Sequence, residues 1–568
     1  MVLENMIETD VLVIGGGIAG CFAAIKAREQ GLDVTIVDKG HAGKSGASIH
    51  PDIFWMVFNT EWGADFDECM KAFVEGGEYL NHREWCEIIL KESWQIYQDM
   101  LSWGIEFPPD TLKYAKHFPP FTGTRIKHRH PAPALRRQAE KVGIRIMDRI
   151  MITDLIKEDG QIIGAVGFPI ESFDLHIFKA KAVVLAGGSS SFKTAGEMAM
   201  LTGDAEAMAY RAGAEITGKE FGSSTFPSLA RYPAWGRAAH GQVNPAFPNI
   251  VDGEGKVLEL GMIHPNEDVR QEWTLELESV VHAGKGPIFW DFSNATKEEI
   301  GQIADWQAAT HSPREIEIAK KAIDLDRPDK IQLSGGYAAG FANVGTGGIF
   351  TYNTKCETLL PGLYVAGDCG GTRHNGSYIT NPGLGTCPSA VTGRHAGVGA
   401  SGYANQNKKA KGINQANLER LKTALYAPVK RKAGFSPRWV TQILRDQMTP
   451  YFITYIKHER RLQAALTIVE FLRDHMVPKM YAKDSHELRL AHETKNMVLN
   501  AEMMLKASLF RTESRGMHYR EDYHRRDDSN WLAWTKLREE GGDMKFSKEP
   551  VPNEWWPDVP ASQKETNY

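Results

Sequence analysis

Three glycines end the first apolar run of the sequence, in VLVIGGGIAG (residues 11–20). Their spacing suits a dinucleotide: Gly15 permits a tight turn, Gly17 lets the backbone approach a pyrophosphate, and Gly20 allows a helix to pack closely on a strand. The N–H groups at the start of that helix would face the phosphates. Asp38, at the end of the next apolar run, can accept hydrogen bonds from ribose hydroxyls. Together these residues predict dinucleotide binding.

The elements that must position these residues form a β–α–β unit. The apolar pattern predicts a strand at 10–14, a helix at 21–30 and a second strand at 34–37. Gly31 follows the helix, as a glycine commonly does at a helix end. A strand–helix–strand unit carrying this glycine pattern is far more specific than the pattern alone.

Two later strands decide which dinucleotide is bound. KAVVLAGG (181–188) ends in Gly187 and Gly188, and the strand in TLLPGLYVAGDCGG (358–371) ends in Gly367 and Asp368. An acid beside a glycine suits the ribityl chain of a flavin, whose hydroxyls need acceptors. The late return of such a strand predicts one FAD domain interrupted by a large insertion.

Composition limits the other possibilities. The chain has 568 residues, 42% of them hydrophobic and 24% charged, with a formal net charge of -5. This balance gives no electrostatic case for nucleic-acid binding. Six cysteines without a CxxC pair argue against a metal or iron–sulfur site within this chain and against a disulfide-rich secreted domain. The polar N-terminus and the absence of a long apolar window predict a cytoplasmic protein without a signal peptide or membrane span.

Several segments resemble the fumarate reductase/succinate dehydrogenase flavoprotein superfamily, which includes L-aspartate oxidase, ketosteroid dehydrogenases and the adenylylsulfate reductase α subunit. The matching segments are GGGIAG, VDKG, KSGAS, LAGG, TGDAEAMAYRAGAE (202–215), GLYVAGD, TGRHAG (392–397) and ESRGMHYREDY (513–523).

The resemblance implies an α/β fold. An FAD-binding, Rossmann-like domain of the glutathione-reductase type would be interrupted by an α+β capping domain and followed by a helical C-terminal domain. The expected boundaries are 1–225 and 336–405 for the two parts of the FAD domain, 226–335 for the capping domain, and 406–568 for the helical domain and tail. The tail is rich in tryptophan, and its composition leaves open whether it binds a partner or docks on its own chain.

The resemblance also implies which residues contact FAD. In the family the Thr-Gly-Asp turn lies near the cofactor, so Asp204 becomes a candidate. A helix that starts within 382–401 would direct N–H groups at the flavin ring and stabilise its anionic reduced form. The predicted FAD-binding residues are Gly15, Gly17, Gly20, Asp38, Lys39, Ser45, Gly46, Ala47, Gly187, Gly188, Asp204, Gly367, Asp368, Cys387 and Ser389.

Departures from the family pattern are equally informative. KSGAS puts Gly46 where succinate dehydrogenases have the histidine that is covalently joined to the flavin, so non-covalent FAD is expected, as in adenylylsulfate reductase. His50 is the alternative tether. The family's substrate-site histidines are missing from TFPS (225–228) and GTGGIF (345–350). The carboxylate-clamping arginine has no counterpart in RHNGSYITNPGLGTCPS (373–389), which argues against a C4-dicarboxylate substrate.

Three residues are catalytic candidates. By resemblance, Arg270 occupies the position of the arginine that donates a proton in fumarate reductases, and an arginine could also hold developing negative charge. The alternative for Arg270 is a solvated helix residue among acids. His374 is either an active-site residue or a loop histidine bonded to its own backbone. Tyr378 is a weaker candidate, as is Arg373.

The resulting functional hypothesis is an FAD-dependent oxidoreductase flavoprotein subunit. It would transfer two electrons, as hydride at flavin N5, to or from a C=C or CH–CH substrate held between FAD and the capping domain. Two alternatives stay open: adenylylsulfate reductase-like sulfur chemistry at N5, and an electron-transfer subunit without its own small substrate. A loop somewhat like that of ketosteroid dehydrogenases favours a bulkier, less charged substrate. Because the chain lacks cysteine clusters, an iron–sulfur or ferredoxin-like subunit is the expected electron-transfer partner.

Overall fold

The computed structural model describes residues 3–49, 54–107, 120–125, 131–193, 201–222, 249–258, 280–281, 283–301, 330–332, 347–371, 373–377, 384–407 and 411–557. The strands are β1 (Glu4–Ile14), β2 (Val34–Val37), β3 (Phe54–Met56), β4 (Gly123–Arg125), β5 (Arg145–Met147), β6 (Ile150–Glu158), β7 (Gln161–Pro169), β8 (Leu175–Leu185), β9 (Ile216–Thr217), β10 (Asn249–Val251), β11 (Phe289–Asp291), β12 (Lys330–Gln332), β13 (Gly348–Ile349), β14 (Leu363–Val365), β15 (Ile456–Lys457), β16 (Tyr519–Arg520), β17 (Ala533–Glu540) and β18 (Asp543–Pro550). The α-helices are α1 (Ile18–Glu29), α2 (Phe66–Gly76), α3 (Arg83–Ser102), α4 (Pro131–Lys141), α5 (Asp204–Ala212), α6 (Thr386–Gln406), α7 (Gln415–Lys430), α8 (Pro437–Met448), α9 (Tyr451–Thr454), α10 (Glu459–Phe471), α11 (Ser485–Phe510) and α12 (Asp528–Trp531).

The central sheet has the strand order β5-β2-β1-β8-β7-β6, with β14 added beside β8. The strands β5, β2, β1, β8 and β14 run parallel to one another, whereas β7 pairs antiparallel with both β8 and β6. Val13 is the register partner of Ile36 on one side and of Val184 on the other. Parallel strands end at a common edge, so the turns after β1, β2, β8 and β14 meet there.

Apolar side chains alternate between the two faces of this sheet. Val11 and Val13 belong to the core formed with α1, α3 and α6, whereas Leu12 and Ile14 belong to the core formed with α5. A strand buried on both faces is typical of a parallel sheet covered by helices. The predicted β–α–β unit is therefore present, with β1 beginning earlier than expected and α1 beginning at Ile18.

Two glycines let α6 lie directly on α1. A Cβ on Gly393 would be 2.4 Å from the carbonyl oxygen of Ala19, and one on Gly397 would be 2.3 Å from that of Ala23. This close approach fixes the start of α6 relative to the fingerprint turn. The glycine-rich sequence of α6 thus serves helix packing.

The C-terminal part is largely helical, as expected. Helices α8, α10 and α11 share an apolar core that includes Val440, Leu466 and Met504. Hairpin β17–β18 then extends a sheet of order β13-β9-β17-β18, so the end of the described chain returns to the FAD-binding part. The Trp534 indole N–H donates to the carbonyl of Leu80 at 2.7 Å, so this tryptophan docks on its own chain.

Only part of the predicted capping segment is described, and it contains a small antiparallel sheet of order β10-β11-β12. The boundaries assigned to the capping domain stay predictions. Among the described helices, none has both the length and the apolar character that crossing a membrane requires.

Candidate functional site

A cavity of about 510 Å³ opens at the common edge of the parallel strands. Its size falls within the range of about 300–1,000 Å³ that is usual for cofactor and ligand sites. All of the predicted FAD-binding residues except Gly20 and Cys387 line it. The turns that the sequence placed on separate strands therefore converge on one space.

The fingerprint turn is shaped by its missing side chains. Gly15 has a φ of +110°, and a Cβ there would lie 2.3 Å from the carbonyl oxygen of Ala186. A Cβ on Gly20 would lie 1.8 Å from the carbonyl oxygen of Gly15, so Gly20 serves the contact between α1 and β1 and does not reach the cavity. Gly17 faces the cavity, where a Cβ would be 2.9 Å from the hydroxyl of Ser48.

Asp38 organises the loop beside this turn. Its carboxylate accepts from the N–H groups of Gly16 and Gly40, each at 2.7 Å, and from the hydroxyl of Ser45 at 2.8 Å. The side chain is buried, and it ties the end of β2 to the fingerprint. The predicted ribose acceptor is thereby held at the cavity wall by three donors of its own chain.

At the far end of the cavity, Asp368 follows β14. Its Oδ1 atom is buried and has no hydrogen-bond partner within the described chain. Burial, with a smaller contribution from the charge of Glu206, raises the pKa of Asp368 to about 7. Asp368 lines the cavity, and its carboxyl group is a suitable acceptor for a ribityl hydroxyl. The polar groups that line the cavity therefore fit FAD.

The start of α6 closes this end of the cavity. Ser389 lines it and donates its hydroxyl to the carbonyl of Gly385 at 2.6 Å. Cys387 is fully buried in the core behind the cavity, and burial raises the pKa of its thiol. Cys387 does not line the cavity, whereas Ser389 in the same turn does, and the predicted contact of Cys387 with FAD stays a prediction.

Part of the charged wall of the cavity was not predicted from the sequence. Lys193, His486, Arg489 and Glu493 also line the cavity, beside the predicted Lys39. Three of them lie on α11, in the C-terminal helical part, where the sequence shows only ordinary amphipathic spacing. No motif in the sequence marks them.

Comparison with known proteins identifies the architecture. Residues 10–240 match the model of the FAD binding domain, and residues 442–566 match that of the fumarate reductase flavoprotein C-term. The chain is 24% identical over 559 residues to a subunit of the fumarate reductase (CoM/CoB) of Methanothermobacter marburgensis, covering 92% of this chain and 95% of the relative. The chain belongs to the fumarate reductase/succinate dehydrogenase flavoprotein superfamily. It is an FAD-dependent oxidoreductase, and the fold class and the cofactor predicted from the sequence are confirmed.

Two solved structures have the same fold as this chain. FrdA of the E. coli quinol fumarate reductase has a TM-score of 0.84 at 19% identity, with 98% of this chain and 99% of that chain covered. Adenylylsulfate reductase from Archaeoglobus fulgidus has a TM-score of 0.78 at 22% identity, with 97% of both chains covered. The fold is thus shared by proteins with different names and does not select between their reactions.

Only some of the catalytic candidates of this flavoprotein lie within the described residues. Arg270 and Tyr378 lie outside the described residues, and their roles stay predictions. His374 is described and is 1% exposed. Its Nε2 atom lies 2.8 Å from the carbonyl oxygen of Leu384, and its ring meets that of Phe73 edge to face. Burial lowers the pKa of His374 to about 4, so the neutral ring donates from Nε2 to Leu384.

Arg373, the neighbour of His374, also contacts other residues of its own chain. Its guanidinium lies between the rings of Phe350 and Trp534, at 4.3 and 4.2 Å from their centroids. It donates to the carbonyl of Thr351 at 2.8 Å. An arginine stacked on two rings and bonded to the backbone is held in place by packing.

The cysteines of the flavoprotein are dispersed. All six are free and buried. Among the residues that the structure describes, no group of three or more histidine, cysteine or acidic side chains is placed to hold a metal ion.

Proposed function

We propose that this flavoprotein transfers two electrons, as hydride, to or from a small substrate with a C=C or CH–CH bond, and that this substrate is not a simple C4-dicarboxylate. The bound flavin supplies the hydride chemistry at N5. The chain supplies the binding groups, the proton and the exclusion of water.

The observation that carries the substrate assignment is the position of Arg373. A C4-dicarboxylate needs cations that can pair with its carboxylates, and the family's clamping arginine has no counterpart in the loop that contains His374. Arg373 is the arginine that this loop does contain, and it is stacked between Phe350 and Trp534. A neutral α,β-unsaturated carbonyl compound would not need such a clamp.

Arg270 is the proposed proton donor, and an arginine in that role supports the same hydride-transfer chemistry. Hydride addition to a polarised C=C bond leaves negative charge that a proton must quench on the adjacent carbon, and a guanidinium can also stabilise that charge. His374 is assigned a different part. Since its Nε2 proton is used for Leu384, we infer that it positions the segment leading into α6 and does not transfer protons.

The proposal includes an electron-transfer partner. The relative from Methanothermobacter marburgensis is one subunit of its fumarate reductase, and the buried, separated cysteines of this chain are unsuited to hold an iron–sulfur cluster. Electrons would therefore enter or leave through a separate iron–sulfur or ferredoxin-like protein.

Single-turnover experiments with chosen acceptors test the assignment. Anaerobically photoreduced holoprotein is mixed with a neutral enone, with fumarate, or with a redox carrier alone, and the oxidised-flavin absorbance is followed. In parallel, the oxidised holoprotein is mixed with sulfite, with and without AMP. We expect the enone to reoxidise the flavin faster than fumarate does.

The other outcomes each overturn the proposal in a different way. Faster reoxidation by fumarate would indicate a dicarboxylate enzyme. Bleaching by sulfite together with inertness towards the enone would indicate sulfur chemistry at N5. Reoxidation by the redox carrier together with inertness towards both the enone and fumarate would indicate an electron-transfer protein without its own small substrate.

A further inference from the structure

Helix α11 holds the wall of the FAD cavity with one of its faces. Glu493, Asn496 and Asn500 follow one another at three- and four-residue spacing, which places them on the same side of a helix. Asn496 donates to the Oδ1 atom of Asp204 at 2.8 Å, and Asn500 donates to the carbonyl of Gly203 at 3.1 Å. This face therefore forms hydrogen bonds with the turn that leads into α5.

Glu493 is the centre of the charge on that face. Its side chain is 2% exposed, and its carboxylate lies 2.9 Å from the ammonium of Lys39, 2.5 Å from that of Lys193 and 2.6 Å from the guanidinium of Arg489. The three cations hold the pKa of this carboxyl well below its usual range, against the effect of burial. Glu493 is therefore a permanent anion that joins three segments of the chain.

Asp204 belongs to the same network. Its Oδ2 atom accepts from Lys39 at 2.7 Å and from the hydroxyl of Thr202 at 2.8 Å, while Oδ1 accepts from Asn496. Both oxygens of this predicted FAD contact are thus engaged by the protein. Asp204 can act on the cofactor through Lys39, which it holds together with Glu493.

The network lies at the adenosine end of the cavity. Lys39 directly follows Asp38, the predicted ribose acceptor. The wall on this side is aliphatic and suits a flat heterocycle such as adenine. Of the aliphatic residues that line the cavity, Val37 directly precedes Asp38, the N–H of Ile150 donates to the carbonyl of Asp38 at 3.0 Å, and Met208 lies one turn beyond Asp204 on α5.

We propose that α11 slows the dissociation of FAD by acting on the adenosine end of the cofactor. Glu493 holds Lys39 and Lys193 against FAD, and these three residues are called the latch. Through them, the C-terminal helical part controls the rate at which FAD is released. The latch depends on FAD binding at this cavity and is independent of the substrate proposed above. It assigns a cofactor-retaining role to a helix that lies far from the fingerprint in sequence.

A pair of substitutions on the same helix tests the latch. Glu493→Gln leaves the shape but removes the charge that Lys39, Lys193 and Arg489 share. Glu502→Gln is the matched control, because Glu502 is likewise a buried carboxylate of α11, with Lys506 at 2.6 Å and Arg473 as partners, but it does not line the cavity.

The rate of FAD release is measured after dilution of each holoprotein, from the fluorescence of the free cofactor. We expect release from Glu493→Gln to be faster by about tenfold or more, since hydrogen bonds between charged groups are being removed. Glu502→Gln should release FAD at the wild-type rate even if its melting temperature falls. Equal release rates in all three proteins, or equal acceleration in both variants, would overturn the latch.

A milder variant keeps the test valid if Glu493→Gln does not fold. Lys193→Gln removes one cation of the network, whose side chain is 25% exposed. It should accelerate FAD release in the same direction but by less, and added salt should narrow its difference from wild type. Release from Lys193→Gln at the wild-type rate at low salt would count against the latch.

Discussion

The carboxylate of Asp38 accepts a hydrogen bond from the N–H of Gly16 at 2.7 Å, so the acid that ends β2 fastens the glycine turn that ends β1. The same carboxylate also accepts hydrogen bonds from the N–H of Gly40 and the hydroxyl of Ser45. The fingerprint and its acid are therefore one preorganised unit, which reduces the cost of ordering the loop when the cofactor binds.

Replacing Gly17 tests the pyrophosphate site. Gly17→Val should abolish FAD binding, because the side chain would occupy the space into which the pyrophosphate must fit. Its nearest neighbour there is the flexible Ser48 side chain, so the apoprotein should still fold. Gly402→Ala is the control, since a Cβ at Gly402 in α6 meets nothing within 4 Å. A fully yellow Gly17→Val protein would contradict the fingerprint assignment.

The flavin should be removable without breaking a covalent bond. Gly46 stands at the family's tether position and has no side chain to form a link, and its φ of +71° favours glycine there. Acid precipitation should therefore release all of the flavin into the supernatant. Colour that stays with the washed pellet would mean a covalent link elsewhere, with His50 as the first position to test.

FAD affinity should depend on pH through Asp368. Its pKa of about 7 lies above the ordinary value of 3.8. The carboxylate accepts a ribityl hydroxyl better than the neutral acid does, so affinity should rise between about pH 6 and pH 8. Asp368→Asn should bind FAD more weakly and lose this pH dependence. Titrations monitored by flavin fluorescence measure the FAD affinity of the wild type and of the variant at each pH. If the affinity of the variant changed with pH as that of the wild type does, Asp368 would not be the group that titrates.

The same ionisation has the opposite effect on the stability of the apoprotein. Because the pKa of Asp368 is higher in the folded than in the unfolded state, the folded chain binds the extra proton between about pH 4 and pH 7. The contribution of Asp368 to the free energy of unfolding therefore falls as pH rises through this range. Comparing the apoprotein with Asp368→Asn by denaturant unfolding at each pH isolates that contribution.

His374 should behave as a positioning residue. Removing its bond to Leu384 in His374→Ala leaves a buried carbonyl unpaired, which costs about 1–3 kcal/mol of stability. His374→Gln keeps a donor and should recover part of this loss together with part of the FAD affinity. Melting temperatures and KM separate a positioning role of His374 from a role in proton transfer. A large loss of kcat in a His374→Gln protein that is fully stable and fully loaded with FAD would make His374 a proton donor.

Local spacing was sufficient to predict some of these features and insufficient for others. The turn at Gly15–Gly17 and the strand-end acids Asp38 and Asp368 depend on short segments whose patterns are specific. Glu493 has no such signal, because its role arises only when α11 packs against α5 and brings it to Lys39. Likewise, the composition of the tail could not show that Trp534 reaches Leu80, since this contact joins distant segments.

Replacement of Arg270 by lysine separates charge from geometry. Lysine keeps the positive charge but lacks the planar fork of donors, so Arg270→Lys should recover little of the activity lost in Arg270→Ala. Both variants should purify with the FAD content and melting temperature of the wild type. Near-complete recovery by lysine would limit the role of Arg270 to a point charge.

The most direct test of the central claim is single-turnover reoxidation of the reduced flavin by the accepted substrate, compared between the wild type and Arg270→Ala. If the substrate takes hydride within this chain and Arg270 supplies the proton, the variant should be slower by about 10²–10⁴-fold at unchanged FAD content. Equal rates in the two proteins, with substrate and electron-transfer partner present, would contradict protonation by Arg270 and favour a flavin that only passes electrons onward.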